Sequence, residues 1–117
     1  MACGGSDGDA GETVTLGGEP VAVAPLVDAH AALCEAAAQP GQGRELFFDR
    51  SHDALHTVAR ALEDVDRART AELLEAKERV EGQLAGGGEA VPGDLSRLAD
   101  VYRASLGRLA ITAPPCD

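Results

Sequence analysis

The sequence predicts an all-α fold, an antiparallel three-helix bundle with a long central helix that is preceded by a disordered N-terminal tether. From residue 25 onward the strong helix formers Ala, Leu, Glu and Arg recur, and apolar residues return at the spacing of one helix face. The β-prone runs at 13–16 and 21–23 are short and isolated. We therefore expect no sheet.

Residues 1–19 differ in composition from the rest of the chain. They hold six glycines and four acidic residues, with Val14 and Leu16 as the branched apolar side chains. Because this composition is typical of a flexible linker, we predict a tether over 1–19 and one helical domain over 20–117. Leu, Ile, Val and Phe supply only 23 of the 98 residues of that domain, so we expect a narrow core.

The first predicted helix runs from about Pro25 to Gln39. Proline suits the first turn, where its missing N–H group costs nothing, and Pro40-Gly41 ends the segment. The apolar stripe of this helix consists of Leu26, His30, Leu33, Cys34 and Ala37. His30 and Cys34 are therefore predicted to lie on the apolar face.

The central segment, 44–84, contains no proline and only one glycine, Gly82. Its apolar stripe is interrupted by the polar run 64–70. Either one helix of about 60 Å continues through this run, or the helix breaks there with Asp66 or Thr70 as a new N-cap. A break would give four helices instead of three.

The last helix is predicted after the glycine run 86–88. Pro92-Gly93-Asp94 opens it, with Asp94 as the candidate cap, and residues 112–117 form an extended tail. Short connections such as 40–43 favour antiparallel neighbours, so the first helix should lie along the start of the central segment.

Charge narrows the classes of partner. Twenty acidic residues against ten basic ones give a formal charge of −10, which repels phosphate backbones and anionic lipid surfaces. We therefore predict no nucleic-acid partner. No apolar run approaches the roughly 20 residues that a membrane-spanning helix needs. The sequence does not identify a protein partner.

The strongest chemical signal is a pair of i,i+4 spacings, His30-x3-Cys34 and His52-x3-His56. Each spacing places two donor side chains on one helix face. If the first two helical segments are antiparallel, the four side chains gather at the same end of the bundle. Imidazole and thiolate ligands select copper or zinc, so these four residues are a candidate metal site.

Two carboxylates accompany the second pair. Asp49 and Asp53 each lie three residues before a histidine and are candidate ligands or outer-shell partners that orient the imidazoles. The alternative is structural, with His30 hydrogen-bonded inside the core and the Asp/His face solvated near a helix start.

The N-terminus carries a resemblance to a known class. Ala2-Cys3-Gly4-Gly5-Ser6-Asp7 resembles the start of a mature bacterial lipoprotein, and the excess of Arg and Ala is typical of a GC-rich, actinobacterial-like genome. The resemblance implies that Cys3 is lipidated and that the chain is extracytoplasmic and tethered to a membrane. Upstream of Cys3 the pattern departs, because a basic region, an apolar region and a leucine are missing. If Met1 is the native start, the protein is cytoplasmic.

Export would also change the role of the cysteines. A lipid on Cys3 leaves Cys34 and Cys116 as an even pair in an oxidising compartment, so these two are a candidate disulfide. Such a bond would remove the thiolate ligand and leave His30, His52 and His56 for a metal.

Catalysis is disfavoured by the sequence. A Cys34/His30 pair on an apolar helix stripe lacks the exposed nucleophile and oxyanion donors of acyl transfer, so we predict a non-enzymatic protein without catalytic residues. The sequence is most consistent with a cell-envelope helical protein with an interaction or binding role. A copper or zinc carrier that uses the histidine cluster is the alternative, and a cytoplasmic helical dimerisation module is a third possibility if Met1 is the native start.

Overall fold

A computed structural model of the chain describes residues 12–116, and most of these residues are helical. The elements in chain order are β1 Thr13–Leu16, β2 Glu19–Ala22, α1 Val23–Ala38, a 3₁₀ turn Pro40–Gln42, α2 Gly43–Arg50, α3 His52–Leu62, α4 Arg67–Ala85 and α5 Pro92–Arg108. The predicted all-α class is broadly confirmed, with five α-helices over the described residues. None of these helices is long and apolar enough to cross a bilayer.

A β-hairpin precedes the helices, and our expectation of no sheet is wrong. β1 and β2 pair antiparallel, with Thr13 opposite Ala22. The loop between them is Gly17-Gly18, with φ angles of 61° and 85°, which are those of a type I′ turn that closes two-residue hairpins. β1 falls within the segment predicted as a tether, whereas residues 1–11 of that segment lie outside the described residues.

Of the two alternatives for 44–84, the single long helix is wrong, because the segment breaks twice. The first break, between α2 and α3, was not predicted and falls at Ser51, which is buried. The Ser51 hydroxyl donates a hydrogen bond to the Leu46 carbonyl at 3.0 Å and lies 3.4 Å from the carbonyl of Ala29 in α1. This side chain offers the backbone an alternative to continuing the helix, and it ties the break to α1.

The second break lies between α3 and α4, and Asp66 caps the new helix, as one of the two predicted alternatives has it. The Asp66 carboxylate accepts a hydrogen bond from the Arg69 backbone N–H at 3.0 Å and pairs with Arg108 of α5 at 2.9 Å. The Arg69 hydrogen bond, and then the Arg108 hydrogen bond, hold the pKa of Asp66 below its usual value.

The last helix begins two residues earlier than its predicted cap. α5 starts at Pro92, and Asp94 lies in its first turn, where its carboxylate accepts a hydrogen bond from the Gln83 amide of α4 at 2.5 Å. The Gln83 side-chain oxygen in turn accepts from the Val91 backbone N–H at 2.7 Å. The prediction of Asp94 as the N-cap is therefore wrong: Val91 is the N-cap residue, and Gln83 bonds both its backbone N–H and the Asp94 carboxylate.

The core is centred on α1, which packs against α5, α2 and α3, while α4 packs against α5 and α3. Ala29, Ala32 and Ala36 of α1 and Ala99 of α5 are fully buried, and such small side chains let helices approach closely. The largest fully buried side chains are Tyr102, Phe47, Leu33, Leu55, Leu62, Leu73, Leu84, Leu95, Leu98, Leu106, His30 and Val58.

Tyr102 links the two central helices through a buried polar contact. Its hydroxyl donates a hydrogen bond of 2.7 Å to the Leu26 carbonyl of α1, and the side chain is fully buried. Burial raises the pKa of the Tyr102 phenol well above its usual value, so the group remains a neutral donor.

The chain after α5 folds back onto the core. Ile111 and Ala113 are buried, and the Arg103 side chain donates a hydrogen bond of 2.7 Å to the Ala113 carbonyl. The Cys116 sulfur lies at disulfide distance from the Cys34 sulfur, with the two Cα atoms 5.4 Å apart. Because 82 residues separate the two cysteines, the bond would restrict the unfolded chain by roughly 4 kcal/mol in the chain-entropy model.

Replacing Tyr102 with phenylalanine should test the link between α1 and α5. We expect Tyr102→Phe to lower the free energy of unfolding by about 1 kcal/mol, because it removes one buried interhelical hydrogen bond and keeps the ring. Urea denaturation followed by circular dichroism measures the change. Ser105→Ala is the matched control, since within the described residues the buried Ser105 hydroxyl bonds inside its own helix, to the Val101 carbonyl at 2.8 Å. Equal losses for both variants would contradict the proposed role of the tyrosine.

Candidate functional site

The structure divides the four predicted metal ligands between two groups. In each group every residue offers one donor atom, and these atoms lie within 4.8 Å of one another. The histidine–glutamate site consists of His52, His56 and Glu81. The cysteine–histidine site consists of His30, Cys34 and Cys116. The four predicted residues therefore do not form a single site.

The break at Ser51 positions the histidine–glutamate site. Because α3 begins at His52, the i,i+4 spacing places His56 beside it one turn later. The reversal of the chain between α3 and α4 then brings Glu81 against the start of α3, 29 residues further along the sequence. Two packed helices thus supply the three donors.

Glu81 is the centre of the charge arrangement. One carboxylate oxygen lies 2.8 Å from Nε2 of His52, and the other accepts a hydrogen bond from the Lys77 ammonium at 3.1 Å. Burial acts to raise the pKa of Glu81, but the hydrogen bonds from His52 and Lys77 outweigh it and lower the pKa overall. The carboxylate therefore stays ionised beside the imidazole.

Aromatic side chains of α2 hold the first histidine. The rings of Phe47 and Phe48 each have their centroids 5.6 Å from that of His52, and the two phenylalanines pack edge to face at 4.9 Å. The His56 ring, which is exposed, stands edge to face with His52 at 4.5 Å. His52 is thus fixed by its neighbours, whereas His56 faces solvent.

Asp49 and Asp53 do not take the outer-shell positions that the sequence analysis considered. Both are exposed, and in the described part of the chain neither carboxylate makes a hydrogen bond or ion pair with the imidazoles of His52 or His56. The carboxylate beside His52 is that of Glu81. The sequence analysis missed Glu81 because α4 carries glutamates at 72, 75, 78 and 81, and only the packing of α4 on α3 selects the last of them.

The second group lies at the edge of the core, with His30 buried, Cys34 half-buried and Cys116 exposed. His30 is only 2% exposed, and its ring nitrogens lie 3.7 and 3.8 Å from the Cys34 sulfur. Its ring also stacks at 6.5 Å from that of Tyr102. Burial and the nearby positive charge of Arg103 lower the pKa of His30, against a smaller opposing effect of Asp100. The imidazole is therefore held in its neutral form.

The structure describes two of the three cysteines. Cys34 and Cys116 lie at disulfide distance, so in this state Cys34 offers no thiolate to a metal. Cys3, the candidate lipidation site, lies outside the described residues.

The histidine–glutamate site has the donor set of a borderline metal ion. Two imidazoles and one carboxylate are ligands that zinc and copper accept, and three protein ligands leave a fourth position open. The Lys77 ammonium opposes a cation at this place, because it already neutralises the carboxylate.

Comparison with protein-family models, with curated proteins and with solved structures gives no match for this chain. The chemistry of the two groups is therefore the basis for any functional inference.

The buried histidine should make stability depend on pH. The folded state lowers the pKa of His30 from 6.5, so its neutral form stabilises the fold above that value, and this contribution is lost as the pH falls below it. The Glu81 carboxylate acts in a separate window, because its contribution is lost only below 4.5.

We expect the midpoint temperature of thermal unfolding to decrease as the pH is lowered from about 7.5 to about 5.5. The His30→Leu variant should show a weaker dependence of this temperature on pH. Thermal unfolding at a series of pH values measures it. His56→Gln, which replaces an exposed imidazole, serves as the control and should keep the wild-type slope. A His30→Leu variant with the wild-type slope would show that another group is responsible.

Proposed function

We propose that this chain is a non-enzymatic helical domain that binds a divalent copper or zinc ion at the histidine–glutamate site. The observation that carries the proposal is the convergence of His52, His56 and Glu81, whose donor atoms lie within 4.8 Å of one another although they come from two helices. The pairing of Cys34 with Cys116 supports the non-enzymatic part, because it leaves no free thiolate beside His30.

The distances fit an ion with small rearrangements. At metal–ligand distances of about 2.0–2.2 Å, two donors around a tetrahedral ion are roughly 3.3 Å apart. His52 and Glu81 are 2.8 Å apart, so they would separate by a few tenths of an ångström as the ion replaces the proton between them. The exposed His56 can rotate to complete the set without disturbing the core.

The positive charge of Lys77 lies close enough to the site to affect its affinity for a cation. Its side chain is 7% exposed, and its ammonium bonds the Glu81 oxygen that does not face His52. A bound cation and this ammonium would repel each other across the carboxylate, so the wild-type affinity should be lower than the donor set alone would give.

Calorimetric titration of the full oxidised chain with Cu²⁺ and with Zn²⁺ tests the proposal. We expect one ion per chain, with copper bound more tightly than zinc. His56→Gln should weaken binding by about tenfold or more, because it removes one ligand. Lys77→Met should strengthen it several-fold, whereas Lys77→Arg, which keeps the charge, should not.

Asp53→Asn is the matched control for these variants, since Asp53 lies on the same helix with its carboxylate exposed, and in the described part of the chain that carboxylate makes no hydrogen bond or ion pair with either imidazole. The Asp53→Asn variant should bind copper and zinc with the same dissociation constants as the wild type. Binding that survives His56→Gln unchanged, or that is lost with Asp53→Asn, would refute the site. Circular dichroism of each variant confirms that the helices are retained.

We further propose that the domain works outside the cytoplasm, tethered through a lipid on Cys3 and serving the cell envelope. Two observations support this compartment. The residues around Cys3 resemble a mature lipoprotein, and Cys34 with Cys116 stands at disulfide distance, which suits an oxidising environment.

Mass spectrometry of the protein from its native cells tests this compartment. We expect an N-terminal peptide that begins at Cys3 and carries a lipid, together with a Cys34–Cys116 disulfide peptide. A chain that keeps Met1 and has free thiols at both positions would instead place the domain in the cytoplasm.

A further inference from the structure

We propose that the reduced chain binds a zinc ion through the thiolates of Cys34 and Cys116 and the imidazole of His30. This second site is separate from the histidine–glutamate site, and it stands whether or not that site binds metal. On this proposal Cys34 and Cys116 link α1 to the C-terminal tail in both redox states, through a disulfide when oxidised and through a zinc centre when reduced.

The donor geometry matches such an ion. Zinc–sulfur bonds of about 2.3 Å and zinc–nitrogen bonds of about 2.0 Å place the ligands of a tetrahedral site roughly 3.5–3.8 Å apart. The ring nitrogens of His30 already lie 3.7 and 3.8 Å from the Cys34 sulfur. All three donor atoms lie within 4.8 Å of one another, so only Cys116 must withdraw once the bond between the sulfurs is broken.

Cys116 is the ligand that can move. It is exposed and follows Pro114-Pro115 in the tail after α5, whereas Cys34 and His30 are fixed on α1. The three ligands border a cavity of about 320 Å³, which Val27 and Pro115 also line. That volume accommodates an ion and a water molecule as its fourth ligand.

His30 has no strong polar partner within the described residues. Its side chain is 2% exposed, and the hydrogen-bond contacts of its ring nitrogens are the long ones to the Cys34 sulfur. A buried polar group with so weak a partner is uncommon and calls for a reason. Ligation of the His30 ring by a metal ion in the reduced state would explain why this buried imidazole has so weak a partner.

The charges and the ligand types both favour zinc. Two thiolates balance the two positive charges of the ion, so the half-buried centre would be neutral as a whole. Thiolate with imidazole is a donor set that selects zinc over magnesium or calcium.

Formation of the site from the oxidised chain is a two-electron step. A dithiol reductant attacks one sulfur of the disulfide, becomes a disulfide itself, and leaves two thiols on the chain with the two protons it gives up. Zinc then binds the two thiolates and releases both protons to water. A newly made chain, whose cysteines are still thiols, needs no reductant.

Cobalt provides the readout, because Co²⁺ in a zinc site shows a sulfur-to-metal charge-transfer band that a nitrogen–oxygen site lacks. The full chain carrying Cys3→Ser is reduced with a phosphine under anaerobic conditions and titrated with Co²⁺, and Zn²⁺ is then added. We expect the band to saturate at one equivalent and to vanish when zinc displaces cobalt. The oxidised chain should show no band.

Variants separate the ligands. Cys116→Ser should lower the band and weaken cobalt binding by about tenfold or more, as should His30→Gln. Combined His52→Gln and His56→Gln substitutions remove the other site and should leave the band unchanged. Far-UV circular dichroism with and without metal covers the case in which reduction unfolds the chain, since zinc should then restore helicity.

Three results would overturn the proposal. One is a reduced chain that gives neither the band nor a gain of helicity with metal. Another is a band that persists in full after Cys116→Ser, and a third is a band that disappears with the His52 and His56 substitutions. Failure of the histidine–glutamate site in calorimetry would affect none of these readouts.

Discussion

The packing of helix α1 against α5 is the contact on which the rest of the fold depends. Across this interface the Tyr102 hydroxyl bonds the Leu26 carbonyl, and the Tyr102 ring stacks with that of His30. The tail after α5 returns to α1, where Cys116 reaches Cys34, one turn after His30. With α1 fixed, α2 and α3 pack on its remaining surface and present the other two histidines.

The fold class and most helix positions follow from composition and periodicity, but three local features did not. The hairpin was missed because its two strands are short and their sequences carry little signal of their own. The evidence for it lies in the loop, where Gly17-Gly18 is a turn signal. The break at Ser51 was missed because no proline or glycine marks it, and the contact of its hydroxyl with the Ala29 carbonyl exists only once α1 is in place. Asp66 was predictable as a cap because an N-cap acts locally.

The candidate sites, too, are predicted by the sequence only where they depend on local geometry. The i,i+4 pairs His30/Cys34 and His52/His56 are each close together as their spacing requires, since helical geometry is a local property. What the spacing cannot give is the third member of each group. Glu81 and Cys116 reach their partners only through helix packing and through the returning tail.

The alanine-rich interior has a thermodynamic consequence. A methyl group buries little apolar area, so a core in which Ala29, Ala32, Ala36 and Ala99 occupy central positions exposes less such area on unfolding than a leucine core would. The heat-capacity increment of unfolding scales with that area, and a small increment flattens the curve of stability against temperature. The domain should therefore hold a modest stability over a broad thermal range, with cold denaturation displaced to lower temperatures.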